Sequence, residues 1–249
     1  MSAPESTRAA GTVYGVGLGP GDPDLMSVRA DRIVRRARHV AYFRKPGRPG
    51  NARSIVEGLL DAGVTEWAME YPVTTEIAVE DPAYNEALAG FYAEWTDRIA
   101  ALALTGEDVA VLCEGDPFFY GSFMHLYSRL QGRVAVEVIP AITGMSGCWT
   151  ASGQPITYGD DVLTVLPATL KETVLIERMT GIDALVVMKL GRNLPKVRRA
   201  LAVAGLLDRA VYVERGTMQA QKVLRLVDKA DDVAPYFSMI LVHGQGRRP

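Results

Sequence analysis

The stretch Val111-Leu112-Cys113-Glu114-Gly115-Asp116-Pro117-Phe118-Phe119-Tyr120-Gly121-Ser122 changes character at its centre. Residues 108–113 form an apolar run of the kind that fills a parallel strand covered on both faces. Residues 114–117 read as the turn that leaves the carboxyl end of that strand. Pro117 bars Asp116 from the helical region, and Gly115 lets a backbone approach closely because it has no Cβ. Phe118, Phe119 and Tyr120 then offer flat apolar surface. In open α/β sheets ligands bind in the crevice outside the carboxyl ends of the strands, so this turn is expected to hold a small cofactor.

Working outward, the surrounding chain supplies the rest of such a sheet. Residues 12–18 (TVYGVGL) read as a first strand, 19–23 as a glycine-proline loop, 24–38 as a helix with arginines on its outer face, and 39–43 as a second strand. A short helix at 54–60, a third strand at 64–71, a loop at 72–76 and a long amphipathic helix at 81–104 follow. The aromatic stripe of that long helix (Tyr84, Phe91, Trp95) reads as core. After the quoted stretch come a helix at 123–130, a strand at 134–139 and a small-residue loop from Pro140 to Gly147. The pattern then resets, with strands at 161–166, 184–190, 210–214, 222–227 and 238–243 and helices at 170–180 and 194–204. Ten strands exceed one ordinary sheet. The chain is therefore expected to form an α/β protein of two αβα domains, residues 11–142 around a parallel sheet and 143–249 around a mixed one. Residues 1–10 read as a disordered tail and 245–249 as a frayed basic end.

Composition narrows the function. The chain has 249 residues, 48% hydrophobic and 22% charged, with a formal net charge of −2. That balance argues against a nucleic-acid binder. The two cysteines, Cys113 and Cys148, have no ligand spacing and read as reduced thiols of a cytoplasmic protein. No run is long and apolar enough for a membrane span, no signal peptide is evident, and no bound metal is expected. A nicotinamide reading of the early glycines fails, because Pro20 and Asp22 stand where the dinucleotide fingerprint needs glycine or alanine. Residues 44–53 (RKPGRPGNAR) hold four basic residues and no acidic one. Arginine pairs with carboxylates through two parallel hydrogen bonds, so Arg44, Lys45, Arg48 and Arg53 are candidates for gripping an anionic substrate.

Taken in order, Gly17-Leu18-Gly19-Pro20-Gly21-Asp22, Glu114-Gly115-Asp116-Pro117, Pro140-Ala141-Ile142-Thr143-Gly144, Met188-Lys189-Leu190-Gly191-Arg192-Asn193 and Val213-Glu214-Arg215-Gly216-Thr217 resemble the tetrapyrrole methylase family. The resemblance runs from Thr12 to His243. It implies S-adenosyl-L-methionine as methyl donor, S-adenosyl-L-homocysteine as product, a donor cleft between the two domains and a homodimer. It implies donor contacts at Pro20, Glu114, Gly115, Asp116, Phe119, Tyr120, Thr143, Gly144, Leu190 and Gly216. The forms of the 113–124 stretch and of Tyr71-Pro72-Val73-Thr74-Thr75-Glu76 imply methylation of precorrin-2 at carbon 20, on the way to cobalamin. The cobalt-containing substrate and a non-catalytic tetrapyrrole carrier are the alternatives. Phe43 follows Tyr42 where family members that make the first two ring methylations carry an aspartate. For the proton that the methylated carbon loses, Asp22, Tyr42 and Glu114 are the candidates. His39, His125 and His243 read as surface or packing residues.

Overall fold

A computed structural model describes residues 9–73 and 81–246. The expected tail (1–8), the second half of the 72–76 loop and the last residues of the basic end (247–249) lie outside the described residues. The chain divides into two compact units, residues 1–142 and 143–249.

In the first unit, five strands, β1 (Thr12–Gly17), β2 (His39–Arg44), β3 (Thr65–Glu70), β4 (Val109–Cys113) and β5 (Ala135–Ile139), form a sheet of order β3-β2-β4-β1-β5. All its pairings are parallel. Every residue of β4 is buried. Val109, Val111 and Cys113 face one side, where they pack with Phe91, Ile99, Phe123 and Leu126. Ala110 and Leu112 face the other and pack with Ala30, Val34 and Ile55. The first side is covered by α3 (Pro82–Leu104) and α4 (Phe123–Leu130), the second by α1 (Val28–Arg36) and α2 (Asn51–Ile55). Helices on both faces account for the unbroken apolar run of β4.

Two helices differ from the sequence reading. The expected helix at 24–38 splits. Pro23 opens a 3-10 turn, Pro23–Leu25, in which the Asp22 side chain accepts from the Asp24 N–H, and Ser27 then caps α1 by accepting from the Ala30 N–H. A capping side chain on each side of Met26 makes two short segments more favourable than one long one. The expected helix at 54–60 lies earlier, at Asn51–Ile55, and ends in turns.

In the second unit, β6 (Leu163–Pro167), β7 (Ala184–Met188), β8 (Ala210–Glu214), β9 (Lys222–Arg225) and β10 (Ser238–Val242) form a sheet of order β6-β7-β10-β8-β9. Only β6 and β7 run parallel; the other neighbours are antiparallel. One face packs on α6 (Glu172–Met179) and α7 (Leu194–Val203) through Leu185, Val187, Tyr212, Leu175 and Leu201. The other packs on α5 (Gly144–Ala151) through Val186, Val213, Leu241 and Cys148.

Candidate active site

The strand order places a switch point in the first unit. β1 and β4 are neighbours, yet β1 leads through α1 on one face and β4 leads to α4 on the other. Where successive connections leave to opposite faces, a crevice opens at the carboxyl ends of the strands. Both loops there are glycine-rich, and they touch. The Gly115 N–H donates to the Gly19 carbonyl at 2.8 Å, with Gly19 at φ +83° and Gly115 at φ +63°. These are left-handed conformations that glycine adopts without steric cost.

The third loop joins through a carboxylate. Asp116 Oδ1 accepts from the Phe118 N–H at 2.9 Å, and Oδ2 accepts from the Ala141 N–H at 3.0 Å. All three loops meet at Gly17. A Cβ there would stand 2.6 Å from the Ala141 Cβ and 2.9 Å from both the Ile139 carbonyl and Pro117 Cδ. Pro20 is buried beside this junction, whereas Phe118 and Tyr120 are 46% and 42% exposed. The turn thus presents bare backbone and exposed aromatic rings together, a combination that suits a planar ligand.

The residues considered for proton transfer have different settings. Asp22 accepts from the Asp24 N–H at 2.9 Å and so is engaged in its own turn. Tyr42 is buried in the core, and burial together with a hydrogen bond to Glu66 raises its pKa. Glu114 stands at the end of β4, where burial raises its carboxyl above the ordinary range, opposed by hydrogen bonding to the Asn51 side chain and the Ala52 backbone.

The basic segment does not form one cluster. Arg44 pairs with Glu70 at 2.6 Å, and Arg53 pairs with Glu66 through two bonds of 2.7 and 2.9 Å. Lys45 and Arg48 lie in an exposed turn and have no ion pair among the described residues. Of the four residues expected to grip an anionic substrate, Arg44 and Arg53 are thus paired with carboxylates of β3, which lies beside β2.

In the second unit, Thr143 caps α5 by accepting from the Ser146 N–H at 3.3 Å, and Gly144 is its first residue. Gly216 lies against the same helix. A Cβ on it would meet Cys148 Cα and Sγ at 3.0 Å, and burial pushes the Cys148 thiol up to about 11. Leu190 is fully buried in the core on the α6–α7 side, so only its backbone is available to a ligand. Among the described residues, four non-glycine residues have positive φ: Tyr120, Lys189, Arg215 and Thr217. All four lie in the loops that carry the family resemblance. Such conformations cost energy and concentrate at functional sites. The sequence reading missed this strain, and also a hydroxyl pair, Tyr71 with Ser122; the only sequence signal for the pair is that both residues sit in quoted motifs.

The histidines pack. His125 lies on the Tyr92 ring with centroids 4.6 Å apart. His243 is held between the Ser152 hydroxyl at 3.2 Å and the Pro155 carbonyl at 3.0 Å. No helix among the described residues is long and apolar enough to cross a membrane.

Residues 12–230 match the family model described as Tetrapyrrole (Corrin/Porphyrin) Methylases, and the chain belongs to that family. It is 54% identical over 239 residues to a precorrin-2 C(20)-methyltransferase of Sinorhizobium sp, covering 96% of this chain and 98% of the relative. A cobalt-precorrin-2 C(20)-methyltransferase of Salmonella typhimurium is 27% identical over 94% of this chain and 97% of its own. Among solved structures, uroporphyrin-III C-methyl transferase from Thermus thermophilus, complexed with S-adenosyl homocysteine, superposes with a TM-score of 0.67 at 22% identity, covering 94% of this chain and 92% of that one.

Proposed function

We propose that this chain is an S-adenosyl-L-methionine-dependent C-methyltransferase that methylates carbon 20 of precorrin-2 to give precorrin-3A in cobalamin biosynthesis. The observation that carries this reading is the 54% identity, over nearly the whole of both chains, to a relative of that name. The metal-free substrate is favoured over the cobalt form, because the relative named for the cobalt form stands at 27%.

S-adenosyl-L-methionine supplies a methyl group on a sulfonium, open to in-line displacement by an electron-rich ring carbon. The protein's task is chiefly positioning, since holding the reacting atoms about 3 Å apart in line supplies a large part of the rate. In the first unit Pro20, Gly115, Asp116, Phe119 and Tyr120 hold the donor. Gly17 and Gly19 keep the floor free of side chains, and the aromatic rings exclude water from one wall. In the second unit the reading adds Thr143, Gly144, Gly216 and the Leu190 backbone. The methylated carbon must lose a proton. Of Asp22, Tyr42 and Glu114, Glu114 suits that step: it sits at the switch point, and its raised pKa brings it nearer to working pH, where a general base is most effective. Lys45 and Arg48 meet substrate carboxylates, while Arg44 and Arg53, tied to Glu70 and Glu66, shape the loop between them.

The same reading makes the protein a cytoplasmic homodimer. Two buried free cysteines fit a reducing compartment, and sedimentation tests the dimer. The reading itself is tested by incubating the protein with donor and either precorrin-2 or its cobalt complex. A product one methyl heavier, formed from the metal-free ring, is expected. Binding of the ring without binding of S-adenosylhomocysteine would leave a carrier instead.

A further inference from the structure

The Phe118–Gly121 turn is fastened at both ends. Its start is held by Asp116, which accepts from the Phe118 N–H at 2.9 Å. Its end is held by Ser122, whose hydroxyl meets the Tyr71 hydroxyl at 2.5 Å across 51 residues of sequence. Between the two fastenings Tyr120 sits at φ +56°. For a residue with a Cβ that conformation is strained, so it persists only where the surroundings hold it.

Tyr71 directly follows β3, the edge strand, and reaches past β2 toward the turn that leaves β4. Its ring is stacked on Phe43, with centroids 5.6 Å apart and planes within 15°, and rests against Phe91 at 5.4 Å. Phe43 is thus the support that aims the Tyr71 hydroxyl. Tyr92 is buried close by, and the Ser122 and Tyr71 hydroxyls act on its phenol.

We propose that Tyr71 and Ser122 are positioning residues for the methyl donor: their hydroxyl pair holds Tyr120 in its left-handed conformation, and with it the aromatic wall of the donor site. This rests on the methyltransferase reading, in which Phe119 and Tyr120 face the donor. Without the pair, the turn relaxes toward ordinary backbone angles. The donor then binds only the fraction of molecules that still present the wall, and its apparent affinity falls by that fraction. Once bound, the donor itself holds the wall, so the chemical step is unaffected.

The test is calorimetric titration with S-adenosylhomocysteine of wild type, Tyr71→Phe, Ser122→Ala, the double variant and Ser122→Thr. One lost hydroxyl bond corresponds to roughly a fivefold to tenfold change. Each single variant is expected to bind that much more weakly, the double variant no more weakly than a single one, and Ser122→Thr close to wild type. At saturating donor, kcat is expected to stay within about twofold of wild type, with only the donor KM raised. Tyr71→Phe keeps the ring stack. Should it still unfold, Ser122→Ala beside Ser122→Thr decides alone. Unchanged affinity in the variants, or multiplicative losses in the double variant, would overturn the inference while leaving the methyltransferase reading intact. Failure of wild type to bind would sink that reading, and this inference with it.

Discussion

Asp116 and Ala141, 25 residues apart in sequence, are joined by a 3.0 Å hydrogen bond from the Ala141 N–H to Asp116 Oδ2, and this bond ties the turn after β4 to the loop after β5. The other carboxylate oxygen holds the Phe118 N–H at 2.9 Å. Both bonds are made by a charged acceptor, the stronger kind. Asp116→Ala is expected to destabilise the protein by about 2 kcal/mol, and Asp116→Asn, which keeps an acceptor for one of the two N–H groups, by about half as much. Urea unfolding measures both. Equal stability of all three proteins would show that the carboxylate serves ligand binding alone.

Gly17 lies where three loops converge, and no side chain fits there. Gly17→Ala forces a methyl to within 2.6 Å of the Ala141 Cβ and 2.9 Å of the Ile139 carbonyl. Overpacking of this kind costs about 1–3 kcal/mol. Since Asp116 fixes the same loops, the loss in donor affinity is expected to exceed the loss in stability. Titration and unfolding of the one variant compare the two; wild-type binding by Gly17→Ala would contradict the picture.

The Arg53–Glu66 pair gives a pH signature. The Arg53 guanidinium holds the Glu66 carboxyl below the ordinary value of 4.5. A carboxylate with a lowered folded-state pKa stabilises the fold above its ordinary pKa, and that contribution disappears as pH falls through the lowered value. Wild type is expected to exceed Glu66→Gln in stability by about 0.5 kcal/mol at neutral pH, the usual size for a partly solvated pair. The gap should close as pH drops below about 4.5. A gap independent of pH would assign the effect to packing.

Both cysteines are buried, with thiol pKa values raised by burial, that of Cys148 to about 11. The thiolate is the reactive form. At pH 8 an aromatic disulfide reagent is therefore expected to modify the native protein slowly and the unfolded protein at once, with two equivalents released. A fast burst from the native state would mean that one thiol is open to solvent.

Local signals located most of the frame. The strands at β4 and β8 and the helix Phe123–Leu130 lie where periodicity and the Gly-Asp-Pro turn place them. The long helix expected at 81–104 begins at Pro82, with Asp81 as its cap, accepting from the Ala83 N–H. The break at Met26 was less visible, because apolar spacing runs across it and only the side-chain bonds of Asp22 and Ser27 divide it. What depends on non-local pairing was not legible. Nothing in residues 44–53 announces that Glu66 and Glu70 of β3 will lie beside β2 and engage Arg53 and Arg44. The burial of Tyr42 and Leu190 is hidden for a related reason: where a sheet is covered on both faces, alternation no longer tells inside from outside. Backbone strain at Tyr120, Lys189, Arg215 and Thr217 has no compositional signal, since strain marks glycine-like geometry at positions that are not glycine.

The position of β10 bears on how the second unit is made. Its strands are synthesised in numerical order, yet β10 lies in the middle of the sheet, hydrogen-bonded to β7 on one side and β8 on the other. Until Ser238–Val242 leaves the ribosome, β6–β7 and β8–β9 are two separate ribbons with no shared hydrogen bonds. The first unit, whose last strand ends at Ile139, can close its sheet more than a hundred residues of translation earlier. A nascent chain stalled before β10 would thus carry one finished unit and one pair of open sheet edges, the form in which strands recruit foreign partners. Premature termination in this protein should lead to aggregation through its second half.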